Sequence, residues 1–148
     1  MFKYLRTLNA GTVTPEVLEL PAGKVSGVVA VIHEGDICSP VAIGTLSTAT
    51  LTDCKYYALE SKEDGDGKTK IKCFRITPGM LFLGHADRKG ALDPTPGMGL
   101  TITNGNTLTL SGTDGEVLYY LPGEEDNVIF TVRMAYRFGF IYLYALST

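Results

Sequence analysis

The chain has 148 residues, 45% hydrophobic and 20% charged, which is the make-up of one folded domain and not of a disordered chain. Its net charge is −3, and its 13 Lys and Arg are spread along the sequence, which argues against the basic stripe of a nucleic-acid surface. The longest apolar run near the start, Val28 to Ile32, is too short for a membrane span.

In chain order, Phe2 and Tyr4, with Leu5 and Leu8, read either as a short first strand or as an arm that docks on a neighbour. The opening MFKYLRTLNAG has no apolar core of signal-peptide length, so a soluble protein made in the cytoplasm without export is expected. Asn9-Ala10-Gly11 is a turn. Val13 to Leu20 is extended, and Pro15 argues against a central strand position. After a turn at Leu20 to Gly23, Lys24 to Ile32 reads as one apolar strand with Gly27 as a bulge. His33-Glu34-Gly35-Asp36 is a tight turn. Ile37 to Ile43 returns as a strand interrupted by Pro40, and Leu46 to Leu51 is loop or strand.

The stretch from Asp53 to Leu83 organises the rest. Tyr56-Tyr57-Ala58-Leu59-Glu60 forms one arm of a hairpin, and a charged tip runs from Lys62 to Lys68 with two glycines. In the second arm Lys70, Lys72, Phe74 and Ile76 share one face, and Ile71, Cys73, Arg75 and Thr77 share the other. Leu51 to Lys62 is the best helix candidate, but the Tyr-Tyr pair and the glycine tip favour strand. Pro78-Gly79 stops the second arm, and Met80 to Leu83 must be buried.

Gly84 to Gly99 reads as a long loop or a hinge between β-rich parts, 1–83 and 100–148, of a single domain. Leu100 to Thr103 and Thr107 to Leu110 pair about Asn104-Gly105-Asn106. Glu116 to Leu121 is a strand, followed by a turn at Pro122-Gly123 and an acidic loop. Val128, Phe130, Val132, Met134 and Tyr136 then share one strand face. Phe138, Phe140, Tyr142 and Tyr144 form a second aromatic face, read as core ahead of interface. Turn signals recur roughly every eight to twelve residues, as in a β-sandwich or barrel. The fold expected is therefore mainly β, sandwich or barrel-like, with little helix.

Chemistry is sparse in this sequence. Cys38, Cys54 and Cys73 are an odd set without a CxxC pair, and read as buried thiols, although Cys54 and Cys73 could meet across the hairpin. His33 and His85 are far apart and lack zinc-site spacing. Asp64-Gly65-Asp66-Gly67 has the beginning of a calcium loop but not its later acidic ligands. Gly97-Met98-Gly99 precedes a strand and lacks the third glycine of a dinucleotide fingerprint. No catalytic, metal or cofactor-binding residue is singled out, and no cofactor and no enzymatic activity are expected.

One likeness remains. The glycine-punctuated pair Lys24 to Ile43, the extended segment Cys54-Lys55-Tyr56-Tyr57-Ala58-Leu59-Glu60, the charged glycine turn, and Ile71-Lys72-Cys73-Phe74-Arg75-Ile76-Thr77-Pro78-Gly79-Met80-Leu81-Phe82 follow one another in order. This order resembles small bacteriophage head-decoration, or capsid-cement, proteins, over roughly residues 10–83. The resemblance implies a structural protein that binds between capsomers on the outside of a capsid. It implies a major capsid protein as partner, a homotrimeric state, synthesis in the host cytoplasm, and no nucleic-acid or membrane partner. Phe2, Tyr4, Phe138, Phe140, Tyr142 and Tyr144 are the interface residues expected. Two other readings are a tail, neck or baseplate β domain, and a carbohydrate- or small-ligand-binding β-sandwich that would expose Tyr119, Tyr120, Tyr142 or Tyr144.

Overall fold

The computed structural model describes residues 2–8, 15–22, 24–25, 28–29, 31–40, 46–48, 55–63, 65–77, 79–87, 99–103, 105–110, 117–123 and 126–132. These residues form strands and turns, with no helix among them. The strands of the first half are β1 (Lys3–Thr7), β2 (Val17–Pro21), β3 (Lys24–Val25), β4 (Val28–Val29), β5 (Ile37–Pro40), β6 (Leu46–Ser47) and β7 (Tyr56–Ala58). Those of the second are β8 (Lys70–Arg75), β9 (Met80–Asp87), β10 (Gly99–Thr103), β11 (Thr107–Leu110), β12 (Val117–Pro122) and β13 (Asn127–Val132).

Two curled sheets result. One runs β2-β8-β7-β5-β6, and Ala22, just beyond β2, bridges Leu46 of β6, so the two ends of this sheet turn towards each other. The other runs β1-β9-β11-β10-β12-β13, and β13 pairs back onto β9. That pairing closes β9, β11, β10, β12 and β13 into a ring. All of its ladders are antiparallel except the short β9–β11 contact at Ala86 and Asp87.

The hairpin of the central stretch is present as expected. Tyr56, Tyr57 and Ala58 stand opposite Arg75, Phe74 and Cys73. Both faces of β8 bury apolar side chains, each in a different core. Phe74, with Ile76 just beyond the strand, joins the core between the sheets, whereas Ile71 and Cys73 join Ala22, Ile32, Cys38, Leu46, Tyr56 and Ala58 on the far side. The corner at Gly79, where φ is +87°, then carries the chain from one sheet into the other. Met80, Leu81 and Phe82 follow it into the interior.

Aromatic rings tie the two sheets together. Tyr57 stacks on Phe74 at 4.8 Å, and Tyr4 meets Phe74 edge-on at 5.2 Å. Phe82 lies 5.5 Å from Tyr57 and stacks on Phe130 at 5.7 Å, and Phe2 meets Phe130 edge-on at 5.0 Å. Each such pair adds about 0.5–1.5 kcal/mol beyond the area it buries. The β10–β11 hairpin also crosses the gap: the Ile37 N–H donates to the Gly105 carbonyl oxygen at 2.8 Å.

Several expectations need correction. Lys24 to Ile32 is not one strand. Lys24 pairs with Val29 and Val25 with Val28, so the chain doubles back between Val25 and Val28; the expected bulge at Gly27 lies outside the described residues. Ile32 separately bridges Lys62. Gly84 to Gly99 is not loop at its ends: β9 runs on to Asp87, held by β13 opposite Gly84 and His85 and by β11 beyond, and Gly99 begins β10. Residues 88–98 lie outside the described set. The six-stranded sheet takes strands from both sides of this segment, since β1 and β9 sit with β10 to β13. The strand begun at Ile37 is described as far as Pro40.

Candidate functional site

The most polar buried point lies in the turn at residues 33–36. Gly35 has φ +89°, and the Asp36 N–H donates to the His33 carbonyl oxygen at 2.9 Å. Asp36 is 1% exposed, and its Oδ2 accepts the His33 main-chain N–H at 2.9 Å, with the imidazole Nδ1 3.7 Å away. Its Oδ1 is buried without a hydrogen-bond partner. Burial pushes the carboxyl above the usual aspartate range, against the opposing pull of the His33 N–H and imidazole.

Three segments meet at this turn. The Phe2 N–H donates to the Gly35 carbonyl at 3.1 Å, the Gly35 N–H to Ala58 at 2.9 Å, and the Ala58 N–H to Asp36 at 2.9 Å. The Tyr57 hydroxyl donates to the Phe2 carbonyl at 2.7 Å. The arrangement fastens the chain start to β5 and β7. It brings together one carboxylate and one imidazole, and the Ser61 hydroxyl accepts the Glu34 N–H at 2.8 Å.

The other singled-out residues are dispersed. His85 is exposed on β9 and lies on a different sheet from the His33 turn. No group of three His, Cys, Asp or Glu able to hold a metal occurs among the described residues. Asp66 at the hairpin tip is committed to its own turn: Oδ2 accepts the Glu63 N–H at 2.8 Å and Oδ1 the Lys68 N–H at 2.9 Å. Those two main-chain donors, with Lys62 at 3.4 Å, lower its pKa. Lys62, expected in a solvated tip, is buried, because its main chain bridges Ile32 in both directions. Cys73 is a buried thiol whose Sγ–H points at the Leu18 carbonyl at 3.8 Å, and burial pushes its pKa up to about 11. Such a thiol is a packing group and not a nucleophile. Cys54 lies outside the described residues.

Of the expected interface residues, Phe2 is fully buried in the chain's own core and Tyr4 is half-buried against Phe74 and Phe82. Tyr4 lies in the first strand, and Phe2 directly precedes it. Phe138, Phe140, Tyr142 and Tyr144 lie outside the described residues. Tyr120 is 1% exposed. It sits at a register shift of β12, where Tyr119 opposes Phe130 and Leu121 opposes Ile129, and it packs with Leu81 on the outer side of the ring. Its ring is not available to stack on a ligand.

What the fold does expose is a pair of strand edges. Among the described residues only Leu5 (39%), Val17 (55%) and Val31 (41%) are large exposed hydrophobics. Leu5 lies on β1, between Tyr4 and Arg6, where the register with β9 shifts. Val17 lies on β2, whose strand pairing is to β8. Arg75 donates to the Glu16 carbonyl and Ala22 to Thr69. With period two, the main-chain groups of Val17 and Glu19 therefore point away from β8. Pro21 shares that outward side, the position where a missing N–H costs the ladder nothing. Sequence reasoning placed β2 off-centre through Pro15 and overlooked this pair of edges. The signal was the outward set Val17, Glu19 and Pro21, with Pro15 just before it.

No protein-family model matches the chain, and no curated protein is recognisably similar to it in sequence.

Proposed function

We propose that this chain is a non-enzymatic structural protein of a virion that decorates the outside of a phage capsid and holds neighbouring capsomers together. The observation that supports this reading is where the capsid-cement likeness falls. From Tyr56 onward its described residues follow one another through β7, the hairpin tip, β8, the Gly79 corner and the start of β9, and its earlier part, Lys24 to Ile43, falls on β3, β4 and β5 as far as it is described. Tyr56, Ala58, Phe74, Ile76, Met80 and Phe82 within it are all buried, so the segment specifies a scaffold and not a reaction centre. A scaffold of this kind is preorganised, so little ordering entropy is lost when it docks, and many copies on one particle add avidity. The partner in this reading is the major capsid protein, the site is the virion exterior, and the state on the shell is a trimer.

The test is sedimentation of the labelled chain with purified heads, and separately with tails, from the virus that carries the gene. Saturable binding to expanded heads, in multiples of three copies, is expected, together with raised resistance of those heads to heat. Binding to tails with none to heads would replace this reading by that of a tail, neck or baseplate component.

A further inference from the structure

We propose that residues 133–148 of this chain dock on the outer face of its own ring, over Leu81, Tyr120 and Thr131. The proposal holds whether or not the chain binds a shell. Side chains alternate along β9 and β13. Met80, Phe82, Val128, Phe130 and Val132 fill the core between the sheets, which leaves Leu81, Ile129 and Thr131 on the outer side. Tyr120 joins them from the irregular part of β12. The outer face of a sheet stays in water unless a further layer packs on it. Yet Leu81 is 2%, Tyr120 1% and Thr131 2% exposed. The apolar residues packed on Leu81 and Tyr120 among the described ones are Leu8, Leu121 and Ile129, each itself only half-buried. Leu121 and Ile129 belong to the same sheet, and Leu8 follows β1 of that sheet, so they flank the patch without roofing it.

Sequence and connectivity name the roof. β13 pairs with β12 on one side and β9 on the other, so the patch is centred on the strand from which residues 133–148 leave, at Val132. From Phe138 to Leu146 every residue but Gly139 is apolar or aromatic. The other segments next to strands of this sheet and outside the described set lack that character: 9–14 read NAGTVT, 88–98 read RKGALDPTPGM and 111–116 read SGTDGE. A sheet face sealed from water needs an apolar layer, and a run such as Phe138 to Leu146 needs a surface to bury against. Placing the run on the face meets both needs within one chain. The aromatic run then serves the chain's own fold and is not a free contact surface between copies.

The experiment is photo-cross-linking of the full chain with Leu83 replaced by p-benzoyl-phenylalanine. Leu83 is half-buried and stands opposite Ile129 on the outer side, far in sequence from residues 133–148. Isotopically light and heavy chains are mixed before irradiation, and tryptic peptides are mapped by mass spectrometry. Cross-links from the peptide that carries position 83 into residues 138–148 are expected, with both halves of each link from chains of one isotope. A second measurement takes Phe140→Asp/Ile141→Asp, which alters adjacent positions and so reaches both sides of an extended chain. That variant is expected to have a lower urea midpoint and to bind more of an apolar-surface dye. Cross-linking leaves residues 133–148 unaltered, so it decides the matter even where the aspartate variant fails to fold. Cross-links into 9–14, 88–98 or 111–116 in place of 138–148 would overturn the inference. So would links that join light to heavy chains, which would make this face a contact between copies, or a folded Phe140→Asp/Ile141→Asp variant with an unchanged urea midpoint.

Discussion

Gly84 is the position at which packing between the two ends of the fold is most directly testable. It lies within β9 with no left-handed φ, so an alanine there meets no backbone strain. On an open strand, replacing glycine by alanine is neutral or stabilising by up to about 1 kcal/mol. Here a Cβ would collide with the Phe2 ring, meeting Cδ1 and lying 2.6 Å from Cε1, and it would press on Phe130 Cε1 at 3.1 Å. Phe2 is fully buried and wedged edge-on against Phe130, so its ring has nowhere to retreat without opening the core. Overpacking of this sort costs about 1–3 kcal/mol, and Phe2→Ala alone costs about 3–5 kcal/mol through the cavity it leaves. The two losses do not add. In the Phe2→Ala background the Cβ of Gly84→Ala enters the vacated space, so its penalty falls to about zero, giving a coupling of about 1–3 kcal/mol. Urea unfolding of the four members of the cycle measures this, with Gly84→Ala lowering the melting temperature by roughly 3–10 °C. An equal cost for Gly84→Ala in both backgrounds would refute the argument that Phe2 is what the Cβ meets.

Asp36 sets a pH dependence. Its folded-state pKa lies above the unfolded value near 3.8, so its contribution to stability is fully present below that value and is lost as pH rises through the folded pKa. Asp36→Asn is therefore expected to gain stability relative to the unaltered chain between about pH 4 and pH 7, and a parallel pair of urea-midpoint profiles would contradict this. Gly105 and Gly65 separate strain from collision. Both have positive φ, but a Cβ at Gly105 lies 2.8 Å from the Ile37 carbonyl oxygen and from Thr48 Cγ2, whereas at Gly65 it meets nothing within 4 Å. Gly65→Ala should cost about 1–2 kcal/mol, and Gly105→Ala more by a further 1–3 kcal/mol or so, read from the same unfolding curves. Cys73, buried with its pKa at about 11, should resist alkylation at pH 8 in the folded chain and react fully in urea, which peptide mass mapping resolves.

The hairpin of β7 and β8 was legible because three local cues agree. Alternation in Lys70 to Thr77, glycines in the tip and Pro78-Gly79 at the end all describe the same object. The Asn-Gly hairpin and the strand from Asn127 to Val132 were legible on the same terms. The failures arose where a residue's role is set by something distant in sequence. Gly84 reads as a loop glycine, yet it is small because Phe2 lies over it. The run Lys24 to Ile32 reads as one strand, because its apolar residues run on without a strong local turn signal, yet β3 and β4 pair with each other. Asp36 reads as turn chemistry, which it is, but its burial comes from the arrival of β1 and β7 around it. The exposed strand edges were invisible for a related reason. Leu5 and Val17 look like any apolar strand residue until the sheets show which side is uncovered.

The position of β9 has a consequence for how the chain acquires its structure during synthesis. Phe82 pairs with Tyr4, 78 residues earlier, and with Phe130, 48 residues later. Neither ladder is local, so both must close large loops before they return any stabilisation. A nascent chain that has emerged only as far as β11 has β1, β9 and its hairpins, but the ring lacks the strands that seal it. The apolar edge of β9 that β13 will cover stays open until the last described strand has left the ribosome. Closure of this ring is therefore expected to be slow for a domain of this size, and the interval before closure is when its copies are most exposed to aggregation.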